Sequence, residues 1–369
     1  MLCQYMRAIA LGLLLVSAAQ ADLTEGLKKG DVNLTSVGPL AFGPDGVLFV
    51  SDPLAAKVYA LDTGDRDGDP EKASYDLKNL GGQIAAALGT TPREVRVVDV
   101  AVNPESGNVY LSVTRGSGPA SAAVLLRVNP AGDLSLVELS GIKHSQALLP
   151  NAPESRVVQR RGRKSNRRTQ SITDLAFVDG RVFVAGLSNE EFASNLRSIP
   201  FPFKKVDKGT SVEIYHGAHG AFETRSPVRT FAAYKIAGAP YLLAGYTCTP
   251  LVKFPITALK AGSKIKGTTI AELGNRNRPL DMVVYQDKGK DYILIANSAR
   301  GIMKVTTDNI EKIAGISKRV GGGGTAGLKY QTIEELQGIT QLDRLNQRMA
   351  LVLVQAENGQ ENLRSINLP

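Results

Sequence analysis

The sequence predicts an all-β fold: a β-propeller of six blades, each a four-stranded antiparallel sheet. Three observations carry this prediction. β-rich runs flank Gly-containing turns, this unit recurs at nearly regular intervals, and 43% apolar with 21% charged residues is the balance of a globular chain. With two Cys and three His in 369 residues, the composition excludes a disulfide framework and a multi-zinc architecture.

The clearest repeat is segment 39–52, where a Pro-Asp-Gly turn separates two β-rich runs and a third run follows at 58–62. The pattern returns at 99–111 and 174–184, with weaker copies at 231–243, 281–295 and 339–353. The second strands are centred on Phe49, Tyr110, Phe183, Leu242, Leu294 and Val352. Their spacings of 61, 73, 59, 52 and 58 residues favour one ring of six blades.

The chain ends complete the ring. After Val352 only one further strand, 362–368, remains, so the last blade lacks its fourth strand. We expect segment 31–37, which precedes the first blade, to supply it, so that N- and C-terminal strands close the ring in one blade. The alternative is a helix over 333–354 in a β-sandwich with a helical tail, but the continuous apolar run 349–354 favours a buried strand.

Residues 1–21 are predicted to be a secretory signal peptide. Arg7 precedes an apolar run over 8–16, and Ala19-Gln20-Ala21 has the small-x-small pattern of a cleavage site. The run is shorter than the roughly 20 residues that span a membrane. We therefore expect 22–369 to be a single propeller domain without a transmembrane segment, located in the periplasm or secreted.

Segment 41–52 (AFGPDGVLFVSD), with the run VYAL at 58–61, resembles the repeat of the six-bladed propellers that include NHL-repeat and SMP-30/gluconolactonase-like (TolB-like) proteins. The resemblance is specific in the first three blades and faint in the last three. It implies the fold; because that superfamily includes both lactonases and non-catalytic binding proteins, it leaves the chemistry open. In the lactonase-like members a divalent ion in the channel polarises the substrate.

In such propellers the innermost strands begin on the face where the loops between second and third strands emerge. This predicts a ligand-binding channel face. Its candidate residues are Asp99, Asp174 and Asp281 at the strand starts, and Asn189, Cys248 and Asn297 in the loops. Carboxylate and amide oxygens suit Ca²⁺ or another divalent cation. Aspartates at these positions also accept hydrogen bonds from neighbouring backbone, and both interpretations stay open.

His216 and His219 are a second candidate site. On a straight strand a three-residue interval points the rings to opposite faces, so both bind one ion only if the intervening Gly bends the chain. His144 and Cys248 are further ligands for zinc or copper. The alternative is exposed loop histidines and a free thiol.

A third candidate is the acidic segment that carries Asp65, Asp67, Asp69 and Asp76. Carboxylates at alternate positions can wrap one Ca²⁺, as in the first half of an EF-hand-like loop, although Pro70 replaces the Gly of the sharp turn. Otherwise the segment is a solvated acidic turn.

The net charge of +9 is concentrated in one place. A run over 156–168 holds seven cations and no acids, in a basic inter-blade loop at about 152–170. Without Arg7 and this run, the remaining net charge is +1. Such a run is a solvated loop or a docking site for an anionic polymer. The candidate residues are Arg160, Arg161, Arg163, Lys164, Arg167 and Arg168.

These observations predict an extracytoplasmic binding or scaffold protein that uses the channel face to hold a small molecule or protein. The alternative is a metal-dependent hydrolase of lactonase or esterase type, in which Asp99, Asp174, Asp281 and Asn297 hold the ion. No catalytic residue is identified by a local motif.

Overall fold

The structure is a computed structural model, which describes residues 22–118, 121–160, 162–248 and 250–369. The predicted signal peptide, 1–21, lies outside the described residues. Apart from one helix, α1 (Leu80–Ala87), and short 3₁₀ turns at Pro92–Glu94, Arg167–Gln170, Ile256–Ala258 and Ile310–Lys312, the regular structure described is β.

The strands follow the β-rich runs of the sequence. The first third of the chain contains β1 (Lys28–Gly30), β2 (Leu40–Phe42), β3 (Val47–Asp52), β4 (Lys57–Asp62), β5 (Asp76–Leu77), β6 (Val95–Val102), β7 (Val109–Arg115), β8 (Ala122–Val128), β9 (Leu134–Leu136) and β10 (Ile142–Leu148). The middle third contains β11 (Val157–Arg160), β12 (Arg163–Asn166), β13 (Asp174–Val178), β14 (Arg181–Leu187), β15 (Ser194–Pro200), β16 (Thr210–His216), β17 (Ala221–Glu223), β18 (Thr230–Ile236), β19 (Ala239–Gly245) and β20 (Pro250–Pro255). The last third contains β21 (Lys264–Lys266), β22 (Thr268–Leu273), β23 (Pro279–Asp287), β24 (Lys290–Asn297), β25 (Gly301–Thr306), β26 (Thr325–Gly327), β27 (Tyr330–Ile333), β28 (Ile339–Arg344), β29 (Met349–Gln355) and β30 (Glu361–Asn367).

These strands form six blades, which confirms the predicted propeller. From the channel outward the blades are β2-β3-β4-β10, β6-β7-β8-β9, β13-β14-β15-β16, β18-β19-β20-β22, β23-β24-β25-β27 and β28-β29-β30-β5, numbered one to six in that order. Additional short strands extend the outer edges of blades one, three and four. The region 333–354 is built of strands β28 and β29 rather than a helix, because its apolar residues face the blades on both sides.

The order of the blades around the ring differs from their order in the chain. Contacts between innermost strands join β2 to β13, β13 to β18, β18 to β23, β23 to β28, β28 to β6 and β6 to β2. Blade two therefore lies between blades six and one. After β4 the chain adds β5 to blade six, builds blade two, and returns to add β10 to blade one.

The closing strand of blade six is Asp76–Leu77 and not the predicted segment 31–37. Leu77 pairs with Leu363 and Asp76 with Arg364 of β30. Segment 31–37 forms no strand, since the buried Asp52 carboxylate accepts hydrogen bonds from the backbone N–H groups of Thr35 (2.6 Å) and Ser36 (3.0 Å) and holds it on blade one.

The core is divided among the blade interfaces. Each pair of neighbouring blades shares a cluster of buried apolar side chains, as between blades one and three, where Phe49 packs against Phe177 and Phe201. Burying such a side chain contributes about 1.5–3 kcal/mol. The ring is thus held by six separate interfaces around a central channel.

Candidate functional site

The central channel brings polar side chains together on the axis of the ring. We call the face where the innermost strands begin the upper face. A cavity of about 640 Å³ opens on the upper face and one of about 800 Å³ on the opposite, lower face. Asp99, Asp174 and Asp281 line both cavities, so these aspartates form the boundary between the two halves of the channel.

Each of these carboxylates joins two neighbouring blades. One oxygen accepts a hydrogen bond from a backbone N–H of the adjacent blade. This agrees with the second interpretation of the sequence, in which these aspartates have a structural role. The bonds are Leu40 N to Asp99 (2.7 Å), Phe231 N to Asp174 (2.6 Å) and Leu342 N to Asp281 (3.0 Å). The other oxygen of Asp174 and of Asp281 accepts from the next residue of its own strand.

A fourth aspartate, Asp343, has the same role and was missed by sequence reasoning. It accepts from Val102 N (2.8 Å) of blade two and from Arg344 N, and it lines the lower cavity. The sequence contains a weak signal for it, since blade six has an Asp in its innermost strand as blades two, three and five do, but this Asp is the next-to-last residue of the strand. We call Asp99, Asp174, Asp281 and Asp343 the carboxylate ring.

Burial in the channel wall raises the pKa of every member of the carboxylate ring. The pKa of Asp174 rises to about 7 and that of Asp343 to about 6, in both cases mainly because burial disfavours the charged form. The pKa values of Asp99 and Asp281 are raised well above 3.8 by burial and by repulsion from the other carboxylates. The ring therefore carries protons at mildly acidic pH.

Three arginines surround the upper opening of the channel. Arg96, Arg229 and Arg278 line the 640 Å³ cavity, and none of them forms an ion pair with a described residue. Burial, and then repulsion from Arg278, lowers the pKa of Arg229. The Arg229 Nε donates to Thr247 Oγ1 (3.1 Å) in the β19–β20 turn of the same blade. The upper opening is thus positive and lies above a ring of carboxylates.

The structure brings His216, His219 and Cys248 together on the same upper face. The chain turns sharply after β16, where Gly220 N donates to His216 O (2.8 Å) and Gly220 has φ +68°. This bend places the two imidazole centroids 3.9 Å apart, as a shared site requires. Cys248, in the β19–β20 turn of the next blade, completes a group whose ligand atoms all lie within 4.8 Å of one another.

The other histidine and the two loop asparagines are not part of these sites. His144 is in β10, on the outer edge of blade one, where its Nδ1 lies 3.1 Å from Ile142 O. Asn189 is exposed, and the buried Asn297 binds Asn277 Oδ1 (3.1 Å) and Ala299 N (3.0 Å). Neither asparagine lines the channel, so the predicted ion-binding set of three aspartates with Asn297 is not assembled.

The four aspartates of the acidic segment do not converge on one point. Asp65 is buried and accepts from the side chains of Ser106, Asn108 and Tyr110. Asp67 is exposed, Asp69 pairs with Lys72 (2.8 Å), and Asp76 is in β5, where it pairs with Lys78 (2.6 Å). Within the described chain, no three of these carboxylates form a metal-holding group. Three of the four aspartates, Asp65, Asp69 and Asp76, thus have protein partners.

The basic segment folds as a hairpin. Strands β11 and β12 pair only with each other, and the 3₁₀ turn that follows reaches the channel opening through Thr169 and Gln170. Lys164 and Arg167 are exposed, whereas Arg168 is partly buried and donates to the carbonyls of Leu54 (3.0 Å) and Pro153 (2.9 Å). Arg161 and the side chains of Arg160 and Arg163 lie outside the described part of the chain.

Comparisons with known proteins assign no family. No protein-family model and no curated protein matches the chain, so the resemblance to NHL-repeat and SMP-30-like propellers is not confirmed. No helix among the described residues is long and apolar enough to cross a membrane.

Solved structures are similar at low identity. They include a protein from Thermus thermophilus described as an oxidoreductase (glucose dehydrogenase), with 14% identity over 92% of this chain and 100% of that chain and a TM-score of 0.35. A PQQ-bound aldose sugar dehydrogenase from Streptomyces coelicolor has 11% identity over 92% and 96%, with a TM-score of 0.27. A native arabinanase from Bacillus subtilis has 11% identity over 74% and 95%, with a TM-score of 0.34. At these values the similarities carry no conclusion about activity.

Proposed function

We propose that this propeller is a binding protein that holds a small polyhydroxylated anion, such as a sugar acid or sugar phosphate, at the upper opening of its channel. The observation that carries the proposal is the set of three arginines, Arg96, Arg229 and Arg278, which surround a cavity of about 640 Å³ without an ion-pair partner among the described residues. Small-molecule sites commonly have volumes of about 300–1,000 Å³.

The charges of the cavity support a ligand with two different ends. A guanidinium presents its donors in a planar fork that matches a carboxylate or phosphate. Bringing Arg229 and Arg278 close together raises the energy of the empty site, and an anion between them removes that repulsion. The site is therefore prepared for negative charge at its rim.

The floor of the cavity favours hydroxyl groups. Each carboxylate oxygen of Asp99, Asp174 and Asp281 that accepts a backbone N–H has a second lone pair for another donor. Ligand hydroxyls can donate to these lone pairs while the anionic end remains at the arginines. A neutral sugar lacks the anionic end, and a simple inorganic anion does not reach the floor.

The location of this activity belongs to the proposal as well. The predicted signal peptide, 1–21, supports an extracytoplasmic binding protein that captures its ligand outside the cytoplasm. Expression of the full chain and N-terminal sequencing of the product test this. A mature N-terminus at Asp22 in the extracytoplasmic fraction is expected, and an uncleaved chain retained in the cytoplasm would exclude it.

Ligand binding is tested by calorimetry with gluconate, glucose 6-phosphate and, as the uncharged comparison, glucose. Replacing Arg229 or Arg278 by Ala removes charged hydrogen bonds of about 1.5–3 kcal/mol, which corresponds to a roughly 10- to 100-fold weaker Kd. Arg276→Ala is the matched control, because Arg276 is exposed on the same loop as Arg278 but does not line the cavity. Equal binding of glucose and gluconate, with no effect of Arg229→Ala, would reject the proposal.

The geometry gives less support to the alternative that the sequence offered, a metal-dependent hydrolase of lactonase or esterase type. That mechanism needs an ion held by Asp99, Asp174, Asp281 and Asn297, and the Asn297 amide is engaged with Asn277 and Ala299. Turnover of a lactone and ester panel that is abolished by a chelator would restore it.

A further inference from the structure

A second site lies outside the channel, between blades three and four. It contains the only three described His, Cys, Asp or Glu side chains whose ligand atoms come within 4.8 Å of one another. The residues are His216 at the end of β16, His219 in the following turn, and Cys248 in the β19–β20 turn. Three nitrogen and sulfur atoms at such separations are the donor set of a thiophilic transition metal, and not of Ca²⁺ or Mg²⁺.

One carboxylate orients both imidazoles. Oε1 of Glu223 lies 3.0 Å from His216 Nδ1 and 2.5 Å from His219 Nδ1, and Ser226 Oγ donates to Oε2 (2.8 Å). When both Nδ1 atoms carry the hydrogen and donate to Glu223, both Nε2 atoms have a free lone pair. A carboxylate that binds the non-coordinating nitrogen of a histidine is the usual second layer of a zinc centre.

The buried imidazole is left with one unused ligand atom. His216 is only 2% exposed, and its Nε2 has no hydrogen-bond partner among the described residues. Leaving a buried polar atom without a partner costs about 1–3 kcal/mol. A metal ion at this position removes that cost, which is an observation independent of the clustering of the three side chains.

The third ligand is held in an unusual backbone conformation. Cys248 has φ +63°, a value that is uncommon for a residue other than Gly, and its N–H donates to Asn277 O (2.8 Å). Strained residues of this kind are concentrated at functional sites. Here the strain places the thiol of blade four beside the histidines of blade three.

From these observations we propose that His216, His219 and Cys248 bind Zn²⁺, with Glu223 as a positioning residue and a water molecule as the fourth ligand. In a tetrahedral site with Zn–N of about 2.0 Å and Zn–S of about 2.3 Å, ligand atoms are roughly 3.3–3.6 Å apart. Adjustment by about 1 Å from the present limit of 4.8 Å is feasible, because His219 and Cys248 lie on turns.

The open fourth position faces solvent, since the His219 side chain is 55% exposed. A second carboxylate, the buried Glu272, accepts from Gly217 N (2.5 Å) and adds negative charge behind the turn.

Thr247, next to Cys248, contacts Arg229 of the channel rim. The metal is therefore held beside the proposed anion site but by different residues, and it does not depend on that proposal.

The test uses the full chain, stripped of metal with a chelator and titrated with Zn²⁺ or Co²⁺. We expect one equivalent of zinc by elemental analysis, and with cobalt a thiolate-to-metal charge-transfer band. Cys248→Ser should abolish that band. His144→Gln is the matched control and should leave the band unchanged, since His144 lies in β10 outside the group.

Glu223→Gln tests the positioning role separately. Loss of such a second-layer carboxylate weakens metal affinity about 10- to 100-fold. At saturating cobalt the charge-transfer band should remain, because the three ligands are intact. Circular dichroism verifies that each variant is folded, and His219→Ala, at an exposed position, provides a ligand variant that avoids the buried His216.

Two results would overturn the proposal. One is a folded wild-type chain that retains no stoichiometric zinc or cobalt. The other is a charge-transfer band that persists in Cys248→Ser or disappears in His144→Gln, because the metal would then be bound elsewhere. Neither result bears on the proposed anion site at Arg229 and Arg278, because calorimetry with sugar acids tests that proposal separately.

Discussion

Replacing Asp174 by Asn should reduce the pH dependence of the free energy of unfolding. The pKa of folded Asp174 is about 7, because the channel wall buries the carboxyl group, whereas its ordinary value is 3.8. Between these pH values the folded state binds the proton more strongly than the unfolded state does. The stabilisation from Asp174 is therefore full below about pH 4 and is lost as the pH rises through 7.

The magnitude follows from the difference between the two pKa values. Three pKa units at about 1.4 kcal/mol each correspond to on the order of 4 kcal/mol. Because Asp174 lines cavities that open on both faces, water in the channel screens the charge, and we expect about half of this value. Two of these three pKa units lie between pH 5 and 7, so the free energy of unfolding should fall by more than about 1 kcal/mol between pH 5 and 8.

The assay is urea unfolding at pH 5 and pH 8, with ΔG obtained by linear extrapolation. Wild type should lose more than about 1 kcal/mol over this range, and Asp174→Asn should lose correspondingly less. At pH 5 the two proteins should differ by about 1 kcal/mol, the value of the hydrogen bond from Phe231 N. Asp308→Asn, at an exposed turn position, is the control and should follow wild type. Parallel pH profiles for wild type and Asp174→Asn would refute the reasoning.

Three further predictions concern residues outside the channel. Asp65→Ala should destabilise by about 3 kcal/mol or more in urea unfolding, because it leaves the buried hydroxyls of Ser106 and Tyr110 and the half-buried Asn108 amide without an acceptor. The exposed Asp67→Ala should change ΔG by less than about 0.5 kcal/mol. Arg168→Ala should cost about 1–3 kcal/mol through the loss of its bonds to the backbone carbonyls of Leu54, Ala55 and Pro153. A similar loss for the exposed Arg167→Ala would contradict that assignment. Replacing 157–166 by a short Gly-Ser link should change the melting temperature by less than about 2 °C, since this hairpin supplies no blade strand. The same deletion should lower the salt concentration that elutes the protein from heparin, and unchanged elution would place the anionic contact elsewhere.

The blades themselves were predictable because their strands are local in sequence. In the repeat 39–52 and its copies, each hairpin pairs residues that a short turn brings together, so β-rich runs and turn residues suffice to identify it. The alternation of these hairpins also identifies the residues on the upper face. Asp99, Asp174 and Asp281 occupy equivalent positions in three copies, and the structure places all three in the channel.

The composition of the site was predictable only in part. His216 and His219 share a site because the chain bends at the Gly residues between and after them. The sequence permits this bend but does not require it. Asp343 was missed because the blade-six copy of the repeat is faint and its Asp stands next to the end of the strand. The three rim arginines come from three different blades, so no local motif connects them.

By itself, the sequence determined the number of blades, the β character of the chain and the channel aspartates Asp99, Asp174 and Asp281, because each depends on short-range pairing. Tertiary structure alone decided the order of the blades, the closure of blade six by Asp76–Leu77 and the return of β10 to blade one. A two-residue strand has almost no sequence signal, and its partner lies nearly 290 residues away in Leu363 and Arg364. Such long-range pairing is selected by the packing of whole blades against one another, which no local pattern encodes.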